Sequence, residues 1–161
     1  MKNAYLRPDR LSDVIAGITT LGTYKFYKLD FKSWSDRICG DEDREKHWEA
    51  ILREHPEFFR VDRGGKNASL IWRRQFPKTY HVDQRIDLPL PNGERHHEDG
   101  ERLSRRPLEP AEITALINVA TNLHDRALEQ HKARRWWIPL FTGILALIGA
   151  VIGGWLSSGA S

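Results

Sequence analysis

The sequence has few of the residues that covalent or metal-based stabilisation requires. It contains one cysteine, Cys39, among 161 residues, so an internal disulfide is excluded and a reducing compartment is favoured. A lone cysteine of this kind is typically a small buried residue. The N-terminal stretch MKNAYLRPDRLSDV lacks the apolar core of a signal peptide and therefore gives no sign of export.

The chain also lacks a strong excess of charge of one sign. Its 25 Lys and Arg against 22 Asp and Glu give a formal net charge of +3. Residues 1–83 carry 16 basic and 13 acidic side chains, and the two segments that follow, 84–108 and 109–135, are each balanced. Since an arm that binds nucleic acid through charge needs a larger local excess, no such arm is predicted.

Motifs for metal-dependent or nucleophilic catalysis are missing as well. The seven histidines are scattered, and neither HExxH nor a paired CxxC occurs. Only HHEDGE, from His96, gathers metal-ligand types, and it falls in a segment whose composition indicates a solvated loop. No serine lies in a GxSxG setting. The sequence therefore predicts no catalytic, metal-binding or cofactor-binding residue and no cofactor, and an enzyme is not expected.

One long hydrophobic run is present, near the end of the chain. Residues 136–156 carry no charge, and as a helix they would span roughly 32 Å, the thickness of a hydrocarbon core. Basic and aromatic residues flank the run in the order expected at membrane interfaces: Arg134, Arg135, Trp136, Trp137 and, at the far end, Trp155. We therefore predict a tail-anchored, single-pass protein in contact with membrane lipid, with residues 1–135 in the cytoplasm and 157–161 as a short far-side tail.

Small residues recur at four-residue spacing within this hydrophobic run. They are Ala146, Gly149, Ala150, Gly153 and Gly154. Such a stripe lets two helix backbones approach closely and is compatible with a homodimer through the transmembrane helix. Glycine is common in membrane helices in general, and a monomer therefore stays an alternative.

Apolar spacing in the first part of the chain predicts three helices and a β-hairpin. The first helix covers Leu11 to Leu21, the second begins after Asp30, and the third covers about residues 42–55. Two β-prone runs within residues 59–72 are joined by RGGKN, whose glycines permit a hairpin turn. With a short strand between the first two helices, this order resembles the winged helix-turn-helix class over residues 9–76.

The predicted fold class is α+β, with a long helix that continues into one C-terminal transmembrane helix. After the polar, proline-containing segment, an apolar stripe from Ile113 to Ala127 predicts a helix that either forms a two-stranded coil or packs back on the first domain. The predicted parts are a winged-helix-like cytoplasmic domain, a linker, a juxtamembrane helix and a transmembrane helix, over 1–83, 84–108, 109–135 and 136–156.

Several stretches resemble a family of short bacterial tail-anchored proteins. They are TYKFYKLDFKSWSDRICGD, EHPEFFRVD, ASLIWRRQ and HDRALEQHKARRWWIPL, which together extend over most of the chain. The resemblance implies the bacterial inner membrane as the location. That family also carries the label N-carbamoyl-L-amino-acid hydrolase, which implies a metal-dependent enzyme. The metal ligands that such an enzyme needs are missing from this sequence.

A basic surface on the predicted wing is the main candidate for binding. It comprises Arg60, Arg63, Lys66, Arg73 and Arg74. The third helix, EDREKHWEAILREH, holds five acidic against three basic residues and would repel DNA phosphates. We therefore predict a membrane-anchored adaptor or regulatory module that acts on a partner protein. A membrane-tethered winged-helix regulator that binds nucleic acid is the alternative, and the labelled hydrolase is a second one.

Overall fold

The computed structural model describes residues 4–88 and 102–133. Within these ranges the chain forms four α-helices: α1 (Arg10–Thr23), α2 (Phe31–Cys39), α3 (Glu45–Glu54) and α4 (Pro110–Ala133). The described strands are β1 (Lys28–Asp30), β2 (Phe59–Val61), β3 (Asn67–Leu70), β4 (Tyr80–His81), β5 (Ile86–Asp87) and β6 (Leu103–Ser104). Short 3-10 helices cover Ala4–Leu6, Glu42–Arg44 and Trp72–Gln75.

The boundaries of α2 and α3 follow from local chemistry. The side chain of Asp30 accepts a hydrogen bond of 2.9 Å from the amide of Ser33 and so caps the start of α2. Gly40 ends that helix with a φ of 72°, a left-handed conformation that glycine adopts without strain. Pro56 follows α3 by two residues and cannot continue a helix. Both helices therefore end where the sequence predicts.

The first sheet is antiparallel, with the strand order β1-β3-β2. On its inner face, three apolar residues stand opposite one another: Leu29, Ala68 and Val61. Successive side chains of a strand point to opposite faces, so the next residues along form a row on the outer face. This outer row consists of Lys28, Ser69 and Arg60, one from each strand.

The hydrophobic core lies between the inner face of this sheet and the helices. Its largest fully buried side chains include Trp34, Phe59, Ile18, Leu21, Ile51, Leu52 and Leu70. Gly17 on α1 permits a close approach, because a Cβ at this position would lie 3.0 Å from Cζ of Phe59. Leu116 and Ala120 on α4 belong to the same core. The stripe on α4 therefore packs back on the domain, which is one of the two arrangements that the sequence left open.

The two ends of the predicted linker belong to a second antiparallel sheet, whose strand order is β5-β4-β6. Tyr80 of β4 pairs with Ser104 of β6. Beyond β6, the amide of Leu108 donates a hydrogen bond of 2.9 Å to the carbonyl oxygen of Gly22 at the end of α1. The chain around β6 is thereby attached to the first helix, while residues 89–101 lie outside the described ranges.

The predicted fold class is wrong in its last part, because it required the long C-terminal helix to continue into a membrane span. Across residues 4–88 and 102–133 the fold is α+β with two small sheets, and no helix there has both the length and the apolar character that crossing a membrane requires. The longest, α4, carries five charged residues that a bilayer interior would not accommodate: Glu112, Asp125, Arg126, Glu129 and Lys132. The single-pass topology is therefore not supported. The run 136–156, on which it depended, lies outside the described residues.

The chain divides into two compact units, Met1–His124 and Asp125–Ser161. The first unit contains both sheets, α1 to α3 and α4 as far as His124. In the second unit the described residues are 125–133, which form the last part of α4. All the side chains discussed below as a candidate site belong to the first unit.

Candidate functional site

Arg73, predicted to be part of a basic surface, is fully buried. Its guanidinium donates hydrogen bonds to five backbone carbonyl oxygens, those of Leu21, Tyr24, Phe26, Arg105 and Arg106. Burial lowers the pKa of the Arg73 side chain to about 10, so the group stays charged at neutral pH. The prediction of Arg73 as a surface residue is wrong because the carbonyl oxygens replace the water that a guanidinium would otherwise bind.

The hydrogen bonds of Arg73 determine where two other arginines lie. Arg74 follows it in the same 3-10 helix, and Arg105 supplies one of the carbonyl oxygens that Arg73 binds. Next to Arg105, the hydroxyl of Ser104 accepts a hydrogen bond of 3.0 Å from the amide of Tyr27. The segments that carry Tyr27, Arg74 and Arg105 are therefore fixed beside one another, although they are far apart in sequence.

These segments surround an open pocket of about 550 Å³ on the outer face of the first sheet. Four arginines line it, and we call it the arginine pocket after them: Arg60, Arg63, Arg74 and Arg105. Lys28 and Ser69 of the outer row also line the pocket, and Ser69 is almost completely buried there. The pocket thus collects cationic side chains from β2, the hairpin turn, the 3-10 helix and the segment after β6.

Asp62 is the acidic residue that lines this pocket, and its carboxylate is already engaged. It accepts a hydrogen bond of 2.8 Å from the side-chain amide of Asn67 and others from the backbone amides of Asn67 and Lys66. It also forms an ion pair of 3.1 Å with Lys28. Hydrogen bonds from Asn67, then the contact with Lys28, hold the pKa of Asp62 well below its usual range. The carboxylate therefore compensates Lys28 rather than the arginines.

The four arginines of the pocket have no acidic partner among the described residues. None of them forms an ion pair with a carboxylate in residues 4–88 or 102–133. The guanidinium of Arg105 lies over the ring of Tyr27, with its Cζ atom 5.1 Å from the ring centroid. Its Nε is buried and donates to no group in the described part of the chain. The pocket is therefore a concave surface with unneutralised positive charge.

Three of the five predicted basic residues line the pocket. These are Arg60, Arg63 and Arg74, whereas Lys66 is exposed on the hairpin turn. The sequence did not indicate Tyr27, Lys28 or Arg105. Strand alternation places Lys28 opposite Ser69 and could have identified it, but nothing in the sequence links Arg105 to the hairpin. The predicted membrane-interface and helix-packing residues, from Arg134 to Trp155, lie outside the described ranges.

Helix α3 is acidic and does not extend the basic surface of the arginine pocket. Glu45, at its first turn, is preceded by the exposed Glu42 and Asp43. Arg53, at its last turn, is committed to Glu49 at 2.8 Å and to the carbonyl oxygen of Gly65 at 2.7 Å. Lys46, the other basic residue of α3, is exposed and is flanked by Glu45 and Glu49, so the helix as a whole is acidic and would repel a phosphate backbone.

A second polar cluster lies where the N-terminal 3-10 helix meets the connection after α3. His55 is fully buried, and its Nδ1 lies 3.0 Å from Oε1 of Glu57. The hydroxyl of Tyr5 donates to the same carboxylate, and the ring of Tyr5 packs edge-on against that of His55 at 4.7 Å. Burial and the hydrogen bond to Glu57 raise the pKa of Tyr5. The cluster attaches the N-terminal segment to the domain.

No grouping of metal ligands accompanies these sites. Among the described residues, no three His, Cys, Asp or Glu side chains come together in a way that could hold a metal ion. HHEDGE lies outside those residues. Cys39, expected to be buried, is exposed, and its Sγ accepts a hydrogen bond of 3.3 Å from Nε1 of Trp48.

Comparison with known proteins assigns no family to the chain. No family model, no curated protein and no solved structure matches it. The resemblance to short bacterial proteins therefore stays a prediction, and the hydrolase activity that their label implies stays an untested second alternative.

The lowered pKa of Asp62 leads to a prediction about stability in acid. A carboxylate whose pKa is depressed in the folded protein contributes stability above its unfolded pKa of about 3.9, and this contribution is lost as the pH falls further. We expect the wild type to lose more stability between neutral and strongly acidic pH than Asp62→Asn does. Urea unfolding across that pH range measures the difference. The matched control, Asp125→Asn on α4, should behave as the wild type; equal pH profiles for wild type and Asp62→Asn would contradict the prediction.

Proposed function

We propose that the protein is an interaction module whose arginine pocket binds an acidic segment of a partner protein. The observation that carries this proposal is the set of four arginines that share one concave surface while its acidic residue, Asp62, is occupied by other groups. An anionic partner would supply the charge that the described residues do not.

The cost of assembling like charges supports a binding role. Neighbouring cations repel one another and destabilise the folded state unless a counter-charge is present. A surface whose only task is to prevent aggregation can spread its charges along an edge and does not need a pocket. Here Arg74 and Arg105 are held at the same pocket by the hydrogen bonds of Arg73, so the repulsion is built into the fold. Arginine is also the cation best suited to pairing with carboxylates, because its planar fork donates two parallel hydrogen bonds.

Nucleic acid is the main competing ligand for such a surface. Arg60 and Arg63 lie at the hairpin, where a DNA-binding wing would contact phosphates. The helix that would enter a groove is α3, and its exposed acidic residues oppose this approach. The acidic protein segment is therefore the ligand that we propose, and duplex DNA is an outcome of the test.

The test measures the binding of two anionic ligands to the wild type and to two variants, each with two charge reversals. A fluorescent peptide rich in Glu and a fluorescent DNA duplex are titrated with the full chain at physiological salt, and anisotropy is measured. We expect the doubly substituted Arg60→Glu, Arg63→Glu variant to lose at least about tenfold in peptide affinity, equivalent to ~1.4 kcal/mol. The control, Arg44→Glu with Lys46→Glu, changes the net charge equally but alters exposed residues beside and on α3.

The two variants separate a local site from a general effect of charge. Retention of peptide binding by the control together with its loss in the pocket variant supports the proposal. Equal losses in both variants would indicate that net charge alone governs binding and would overturn it. Tighter binding of the duplex than of the peptide, lost in the pocket variant, would favour the nucleic-acid alternative instead. Circular dichroism of each variant verifies that it is folded.

A further inference from the structure

The number and charge of the pocket arginines distinguish between two kinds of acidic group. Five cationic side chains line the pocket, and Asp62 compensates only Lys28. A single carboxylate brings one negative charge and pairs with one guanidinium fork. A phosphate monoester carries about −1.5 to −2 charges at neutral pH and has three strong acceptor oxygens. The charge left in the pocket therefore matches a phosphate group more closely than a carboxylate.

The positions of the arginines around the pocket also favour a phosphate over a carboxylate. Arg60 lies on β2 in the outer row of the first sheet, Arg74 on the 3-10 helix and Arg105 on the segment after β6. Side chains from three separate elements approach a ligand from different sides. The oxygens of a phosphate are arranged as a tetrahedron and can accept from several sides, whereas those of a carboxylate accept within one plane. The geometry thus suits a compact anion with more than two oxygens.

The pocket is also organised before any ligand arrives. The backbone segments of Arg105 and Arg74 are both fixed through Arg73, and the guanidinium of Arg105 already lies over the ring of Tyr27, so part of the cost of ordering the pocket is met before binding. At about 550 Å³ the pocket has room for the side chain that carries a phosphate, with the ring of Tyr27 as one wall. Ser69, almost completely buried among the lining residues, donates its hydroxyl to the carbonyl oxygen of Arg60 at 3.4 Å.

From this arrangement we infer that the arginine pocket binds a phosphate monoester carried by a side chain of the partner protein. The inference rests on the proposed function and narrows it, because it names the group that the pocket selects. It makes the interaction dependent on phosphorylation of the partner.

The experiment uses two short peptides that differ only in their central residue, which is Glu in one and phosphoserine in the other. Both are titrated with the full chain by calorimetry. We expect the phosphoserine peptide to bind at least about tenfold more tightly, a difference of ~1.4 kcal/mol. In the Arg74→Gln, Arg105→Gln variant this ratio should fall towards one. The hydrogen bonds of Arg73 survive in that variant, because they use the backbone carbonyl of Arg105 and not its side chain. Arg44→Gln with Lys46→Gln is the matched control and should keep the ratio.

The outcomes separate this inference from the proposed function. A ratio near one in the wild type, with peptide binding that still depends on Arg60 and Arg63, overturns the phosphate inference and leaves the acidic partner in place. Failure of both peptides to bind overturns both. Inorganic phosphate that displaces the phosphoserine peptide at concentrations equal to the peptide's own dissociation constant would show that the pocket takes free phosphate, which also contradicts a phosphorylated partner. Displacement only at far higher concentrations supports the inference.

Discussion

Replacement of Arg73 by methionine is expected to lower the free energy of unfolding by about 3–5 kcal/mol, among the largest effects of a single substitution. Methionine preserves much of the side-chain volume but donates no hydrogen bond, so five backbone carbonyl oxygens lose their donor at once. Each buried acceptor left without a partner costs roughly 1–3 kcal/mol, and water entering the site offsets part of the sum. Urea unfolding followed by circular dichroism measures the change.

Two other substitutions make this prediction specific. Arg73→Lys keeps the charge, but a single ammonium group has three donors and cannot serve five carbonyl oxygens, so an intermediate loss is expected. Arg74→Met alters the exposed neighbour in the same 3-10 helix and should change stability by no more than about 0.5 kcal/mol. If Arg73→Met were as stable as Arg74→Met, the buried hydrogen bonds would not hold the two segments together as described.

Replacement of Trp34 by alanine is expected to cost about 3–5 kcal/mol of stability, because it leaves a large cavity in the core. Trp34 has no exposed surface, and its Nε1 donates a hydrogen bond of 2.9 Å to the carbonyl oxygen of Ala68. It therefore joins α2 to the central strand of the first sheet. The shift in the urea midpoint at constant slope gives the magnitude.

A second substitution at the same position separates packing from hydrogen bonding. Trp34→Phe retains an aromatic ring but removes the donor and should lose less than Trp34→Ala. The matched control is Trp72→Ala, since the side chain of Trp72 is 40% exposed. Equal destabilisation by Trp34→Ala and Trp72→Ala would contradict the assignment of Trp34 to the centre of the core.

The sequence predicts the parts of this fold in which periodicity and caps act locally. The apolar spacing from Leu11 to Leu21 corresponds to α1, and the cap at Asp30 corresponds to the start of α2. The hairpin register also follows from alternation, since Phe59 stands opposite Leu70. Trp72, at the end of the second predicted β-prone run, instead lies in a 3-10 helix. In each of the correctly predicted elements, the interaction that determines the structure joins residues close together in the sequence or follows a regular period.

The parts that the sequence does not predict depend on contacts between distant segments. Strands β4, β5 and β6 have two residues each, too few to show a period, and β5 and β6 lie in the segment whose composition predicts a linker. The neighbours Arg73 and Arg74 look alike in the sequence, and only the carbonyl oxygens around Arg73 distinguish them. The sequence predicts only the part of the candidate site whose residues are neighbours along the chain. Arg60, Arg63 and Arg74 lie close together in sequence, whereas Arg105 reaches the pocket through the second sheet.

The order in which the segments leave the ribosome affects when the pocket can form. A nascent chain that has emerged only through β4 already contains Arg60, Arg63 and Arg74, yet it lacks Arg105 and two of the carbonyl oxygens that receive Arg73. Until residues 105 and 106 have been synthesised, Arg73 has no complete set of acceptors and its burial is unfavourable. The arginine pocket is therefore complete only after residues 105 and 106 have been synthesised, well after its first three arginines have emerged.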